Sequence, residues 1–101
     1  MQWLRGPQMT NEELPDDCVV KFGAGWCQPC KAIELPLEAA VSNTGATLVE
    51  IDIDEESELT TILGIRSVPT VVVFRDGQPV AQLVGTKTQQ EYEEMIGEHS
   101  R

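Results

Sequence analysis

Residues 18–22 (CVVKF) are apolar except for one lysine, which predicts a buried strand. After the turn-forming GAGW of 23–26, apolar residues recur at Ile33, Leu37 and Ala40/Val41, the spacing of one helix face. Pro29 suits the first turn of that helix, where its missing N–H would have no partner anyway. Pro36 falls inside the periodic stretch and predicts a kink near it. Residues 43–45 (NTG) end the helix. Alternation over 47–53 predicts a strand, with Val49, Ile51 and Ile53 facing one way and Glu50 and Asp52 the other. An acidic loop follows, then a helix with Leu59, Ile62 and Leu63 on one face and Gly64 just past its end. Residues 68–74 (VPTVVVF) read as a strand apolar on both faces, expected at the centre of the sheet. Asp76-Gly77 turns the chain back, residues 80–84 return antiparallel, and Gly85 breaks or bulges that strand. Thr88 and Glu91 have the spacing of a capping box, opening a last helix that buries Tyr92, Met95 and Ile96. Near the start, residues 10–14 are expected to make one helical turn, and residues 1–4 are either a short edge strand or a frayed end.

The order is β-α-β followed by α-β-β-α. A right-handed parallel crossover and a terminal hairpin with a covering helix give a three-layer α/β/α fold around a mixed β-sheet. Repeats, low-complexity stretches and linkers are absent from the sequence, so one domain is expected over 1–101, with its core at about 18–97 and a short, partly irregular segment at 1–17.

Charge narrows the classes of partner. Seven basic and 17 acidic residues leave a net charge of −10. Nucleic-acid phosphates and anionic lipid would be repelled, and a basic protein partner favoured. The longest largely apolar run, 70–74, is far too short to span a bilayer, and the first residues lack the apolar region of a signal peptide. A cytoplasmic, monomeric protein is expected. Three cysteines, Cys18, Cys27 and Cys30, are too few and too odd in number for a secreted disulfide framework.

The strongest motif is WCQPC, Trp26 to Cys30, between a predicted strand and a predicted helix. Cys27 falls near the helix N-cap and Cys30 about one turn in. Unpaired amides at a helix start carry roughly half a positive charge and favour a thiolate. Cys27 is therefore expected to be the exposed, attacking sulfur and Cys30 the shielded one. Cys27 would form a mixed disulfide with a substrate, and Cys30 would resolve it. A zinc knuckle would need four ligands, and only Cys18 and His99 remain to complete it. Cys18 reads as a small apolar residue packed in the sheet. The acidic runs at 16–17, 52–58 and 91–94 read as solvated faces without chemistry. A proline before a buried strand, as in Val68-Pro69-Thr70, either ends a loop or forms a cis bond. The cis form would bring the Val68 backbone beside the sulfurs, where it would pair with an extended substrate.

Together these residues resemble the thioredoxin family. The match is carried by Phe22, Ala24, Trp26-Cys27, Pro29-Cys30-Lys31, Asp54, Gly64-Ile65, Val68-Pro69-Thr70, Phe74, Gly77 and Gly85, and covers roughly 18–97. The resemblance implies a protein-disulfide oxidoreductase with Cys27 as nucleophile, Cys30 as resolving cysteine and Pro69 as cis-proline. It implies disulfide-containing protein substrates that meet Trp26, Gln28, Pro29, Val68 and Pro69. It also implies electrons from a thioredoxin-type reductase and no cofactor beyond the Cys27–Cys30 disulfide. Pro29 as the second residue between the cysteines favours thioredoxin over glutaredoxin.

Five features depart from the family pattern. Gln28 replaces the usual glycine, and Gly23 replaces an aromatic often found four residues before the first cysteine. The helix proline comes one residue later than usual, and the N-terminal segment is shortened. The fifth departure is an exchanged charge pair. Lys21 stands where the family usually buries an acid, and Glu50 where a lysine usually pairs with it. A lone buried ammonium is costly, so Lys21 is expected to sit against Glu50 rather than reach to solvent. In this reading Glu50 carries protons toward Cys30 and Lys21 lowers the thiol pKa. Two alternatives to the oxidoreductase are a non-catalytic binding subunit of a larger assembly and a glutaredoxin-like electron carrier reduced by glutathione.

Overall fold

A computed structural model describes residues 2–3, 14–55 and 57–99. Five strands form one mixed sheet: β1 (Gln2–Trp3), β2 (Cys18–Gly23), β3 (Leu48–Asp52), β4 (Thr70–Arg75) and β5 (Gln78–Val84), in the order β1-β3-β2-β4-β5. β3 runs parallel to β1 and β2, whereas β4 is antiparallel to both β2 and β5. β1 is a short edge strand, the first of the two alternatives for the start of the chain. The helical turn expected at 10–14 lies outside the described residues, apart from the buried Leu14.

Strand alternation divides the core between the two sheet faces. Val19 of β2, Leu48 of β3 and Val71 and Val73 of β4 face two helices, α2 (Glu34–Thr44) and α4 (Gln89–Glu98). Cys18, Val20 and Phe22 of β2, Val49 and Ile51 of β3, and Val72 and Phe74 of β4 face the opposite way, against Leu59 of α3 (Ser57–Ile62). This is the expected three-layer arrangement. Fully buried side chains such as Ile33, Leu37 and Phe22 each contribute about 1.5–3 kcal/mol over an exposed position.

Three local expectations need correction. β4 is interior but not central: the middle strand is β2, equally buried along its length. Burial on both faces requires a neighbour on each side and helices above and below, which β2 and β4 share. Ile62 is 58% exposed rather than buried with Leu59. In so short a helix Leu59 meets the sheet, with the half-buried Leu63 just past the helix end, and Ile62 lies about 60° round the axis from Leu59. The helix after the cysteines is broken rather than bent near Pro36. α1 (Gln28–Ala32) ends at Ile33, and α2 begins at Glu34. Pro36 has no N–H for the carbonyl of Ala32 and its ring crowds that carbonyl, so the break falls in the turn before the proline. The Leu37 N–H to Ile33 carbonyl bond (2.9 Å) then restarts the ladder.

Other boundaries follow local chemistry. Gly45, left-handed at φ 73°, closes α2. Asp76 (φ 55°) and Gly77 (φ 77°) form the two-residue turn between β4 and β5. The Thr88–Glu91 capping box is formed in both directions, and α4 buries Tyr92, Met95 and Ile96 as expected.

Candidate active site

Cys27 is the N-cap of α1, with extended backbone (φ −90°, ψ 105°), and Pro29 occupies the first turn. The Cys30 N–H donates to the Cys27 sulfur at 3.1 Å. The two sulfurs are joined as a disulfide, with the Cα atoms 5.3 Å apart. One expectation fails here: Cys27 is as enclosed as Cys30, each 3% exposed. Its side chain folds inward over the first helical turn and packs with Ala24, Ile53 and Val68. The exposed surface around the pair belongs instead to Trp26, Gln28 and Pro29.

Trp26 is 66% exposed, yet it is tethered, since its indole N–H donates to the Asp54 carboxylate at 2.9 Å. The Asp54 backbone N–H in turn donates to the Asp52 side chain at 2.9 Å. Charge patterning assigned this acidic stretch to solvent, so the tether was missed. The sole pointer to Asp54 was its place among the residues of the family resemblance.

The Val68–Pro69 bond is cis. The Pro69 carbonyl accepts the Gly85 N–H at 2.8 Å, and the Thr70 hydroxyl donates to the Ser67 carbonyl at 2.7 Å. These bonds hold the loop so that half-buried Val68 packs on the cysteine cluster.

Beneath the pair, Lys21 of β2 stands in register with Glu50 of β3, on the sheet face that carries α2. The Lys21 Nζ lies 3.9 Å from the Glu50 Oε1, and both side chains are almost wholly buried. Neither of the surface positions that were the alternative is occupied. Glu50 Oε1 has no hydrogen-bond partner among the described residues. Burial pushes the Glu50 carboxyl above its usual 4.5. Lys21 opposes that rise, while Glu34 and Glu38 add to it. Lys21, Glu50 and Cys30 line one cavity of about 180 Å³, with Gly23, Glu34 and Asp52 also on its wall.

Cys18 stays a free, fully buried thiol on the other sheet face, as expected, and burial raises its pKa to about 11. Among the described residues no helix is long and apolar enough to cross a membrane.

The Thioredoxin family model matches residues 8–98. A thioredoxin from Staphylococcus aureus is 37% identical over 83 residues, which span 80% of each chain. Among solved structures, a mutant thioredoxin from Halobacterium salinarum NRC-1 superposes with a TM-score of 0.79 at 34% identity, covering 85% of this chain and 76% of the other. A thioredoxin from Nicotiana alata superposes with a TM-score of 0.77 at 34% identity, covering 90% and 79%.

Proposed function

From the premise that this chain belongs to the thioredoxin family and is a thiol–disulfide oxidoreductase with a redox-capable cysteine pair, we propose how its residues divide the work. Cys27 is the nucleophile. Its thiolate attacks a substrate disulfide, one substrate sulfur leaves as thiolate, and a mixed disulfide forms. Cys30 then loses its proton and attacks the Cys27 sulfur, which frees the second substrate thiol and closes the Cys27–Cys30 bond. The observation that carries this assignment is the Cys30 N–H donated to the Cys27 sulfur at the helix start, since that amide favours negative charge on sulfur.

Glu50 takes the Cys30 proton. It shares a cavity with Cys30, and burial raises its pKa, which brings a carboxylate closer to the range where a general base works well. Lys21 favours both the ionised Glu50 and the thiolate. Trp26, Gln28, Pro29, Val68 and Pro69 form the rim against which an extended protein segment lies. Residues 18–97 act as one domain. Disulfide-bearing proteins are the substrates, a thioredoxin-type reductase returns the electrons, and the reducing cytoplasm is the compartment this reading assigns.

Reduction of insulin in the presence of such a reductase is the test. Cys27→Ser abolishes it, and Cys30→Ser accumulates a covalent mixed disulfide visible by mass. Trapping through Cys30 in Cys27→Ser instead overturns the assignment. For the charge pair, the checks are the rate and the thiol titration of Lys21→Met and Glu50→Gln. If each variant matches the parent in both, Lys21 and Glu50 have no part in the chemistry.

A further inference from the structure

The inner sulfur has an approach of its own. A Cβ built on Gly23 would stand 3.4 Å from Cys30 Sγ, 3.5 Å from Cys30 Cβ and 3.8 Å from Lys21 Cε. The absent side chain therefore leaves Cys30 open toward the cavity of about 180 Å³, whose wall also carries Lys21, Lys31, Glu34, Glu50 and Asp52. Glu50, 2% exposed, brings to that wall a carboxylate oxygen that no donor among the described residues satisfies. A buried acceptor of this kind costs free energy until a donor reaches it. Glu34 and Asp52 add two further carboxylates on the same wall, so three carboxylates stand there against the two ammonium groups of Lys21 and Lys31, and a chain of net charge −10 draws cations toward it.

We propose that this cavity is a binding site for small aminothiol disulfides, which donate an ammonium N–H to Glu50 and present a sulfur to Cys30. The reduced protein then has a second activity, on low-molecular-weight rather than protein disulfides, that begins at the inner cysteine. The Cys30 thiolate attacks one sulfur of the ligand. The ligand's S–S bond breaks, and one aminothiolate leaves and takes up a proton. Cys27 thiolate next attacks Cys30 Sγ, expels the second aminothiol and restores the Cys27–Cys30 disulfide. One ligand disulfide is reduced to two thiols as one protein dithiol is oxidised. This goes beyond the reading in which Cys27 attacks a docked protein.

The test isolates each sulfur. Cys27→Ser leaves Cys30, and Cys30→Ser leaves Cys27. Mixed-disulfide formation is followed by mass with three probes of similar size: cystamine (cationic), 2-hydroxyethyl disulfide (neutral) and dithiodiglycolate (anionic). At Cys30, cystamine is expected to react about tenfold faster than the neutral probe, the scale of one charge-assisted hydrogen bond, and the anion slowest. Adding Gly23→Trp to Cys27→Ser fills the cavity and removes that advantage, and Gly23→Ala, the gentler change, reduces it. Adding Glu50→Gln to Cys27→Ser collapses the order of the probes. Loss of a proton relay alone would slow all three equally, so failure of the relay and failure of the site are distinguishable. Equal rates for the three probes at Cys30, the same order at Cys27, or an order that survives Gly23→Trp overturns the proposal.

Discussion

Lys21 and Glu50 face each other across β2 and β3 with Nζ and Oε1 3.9 Å apart, and neither side chain reaches bulk solvent. At that separation the charges attract, but no hydrogen bond forms, so the Glu50 oxygen stays unsatisfied among the described residues. The two partners differ in what happens when one is removed. Burial already favours the neutral form of Glu50, so without Lys21 the carboxyl can take up a proton, whereas Lys21 without Glu50 is a stranded ammonium. Glu50→Gln is therefore expected to cost about 3 kcal/mol, toward the low end for breaking a buried pair. Lys21→Met should cost clearly less, and the double variant less than the two single costs added. Urea unfolding of the three variants is the check, and equal single costs would contradict the asymmetry.

The same carboxyl sets a pH dependence. Between pH 4.5 and the higher folded value, the unfolded chain has released the Glu50 proton while the native chain still holds it. The stability this lends is complete below 4.5 and is lost as pH rises through the higher folded value. Unfolding free energies of parent and Glu50→Gln, compared from acid to mildly alkaline pH, should converge or cross as pH rises because the parent alone loses this contribution. A difference independent of pH would refute it.

Asp54 orients the exposed Trp26 through the indole N–H. Asp54→Ala should leave stability within about 0.5 kcal/mol, as for most surface changes, because the bond lies in solvent. The KM for a protein disulfide should nevertheless rise several-fold, since the ring is then free to leave the rim. Steady-state kinetics with insulin decide it, and an unchanged KM would remove Asp54 from the substrate surface.

Cys18 is sealed in the sheet with its thiol pKa near 11. Native, reduced protein treated with iodoacetamide at neutral pH should gain adducts at Cys27 and Cys30 and none at Cys18, with Cys18 reacting only after unfolding. Peptide mass mapping reads this directly.

The cap of α4 is local and testable by itself. Thr88 Oγ1 accepts the Glu91 N–H at 3.1 Å, and the Glu91 carboxylate accepts the Thr88 N–H at 3.1 Å, which holds the Glu91 pKa below its usual value. Thr88→Ala should cost about 1 kcal/mol in urea unfolding.

What was legible in the sequence was what depends on neighbours within a turn or a strand. The Thr88–Glu91 cap, the turn at Asp76-Gly77, the strand alternation and the placing of Cys27 at a helix start all arise from short-range backbone chemistry, and the structure shows each of them. The sharpest non-local expectation, Lys21 against Glu50, came from comparing two strand positions with a family pattern, and it required the register to agree. Tertiary structure alone decided the rest. Packing against Ala24, Ile53 and Val68 closed over Cys27. Asp54 met Trp26, 28 residues away in the chain, because two loops converge. The space beside Gly23 became a cavity reaching Cys30 and Glu50 because β2, α1, α2 and β3 leave it unfilled. Local pattern depends on dihedral preferences and caps, which act over a few residues. Enclosure, convergence and empty volume depend on where whole elements stop against one another, and that is settled only when the entire core has packed.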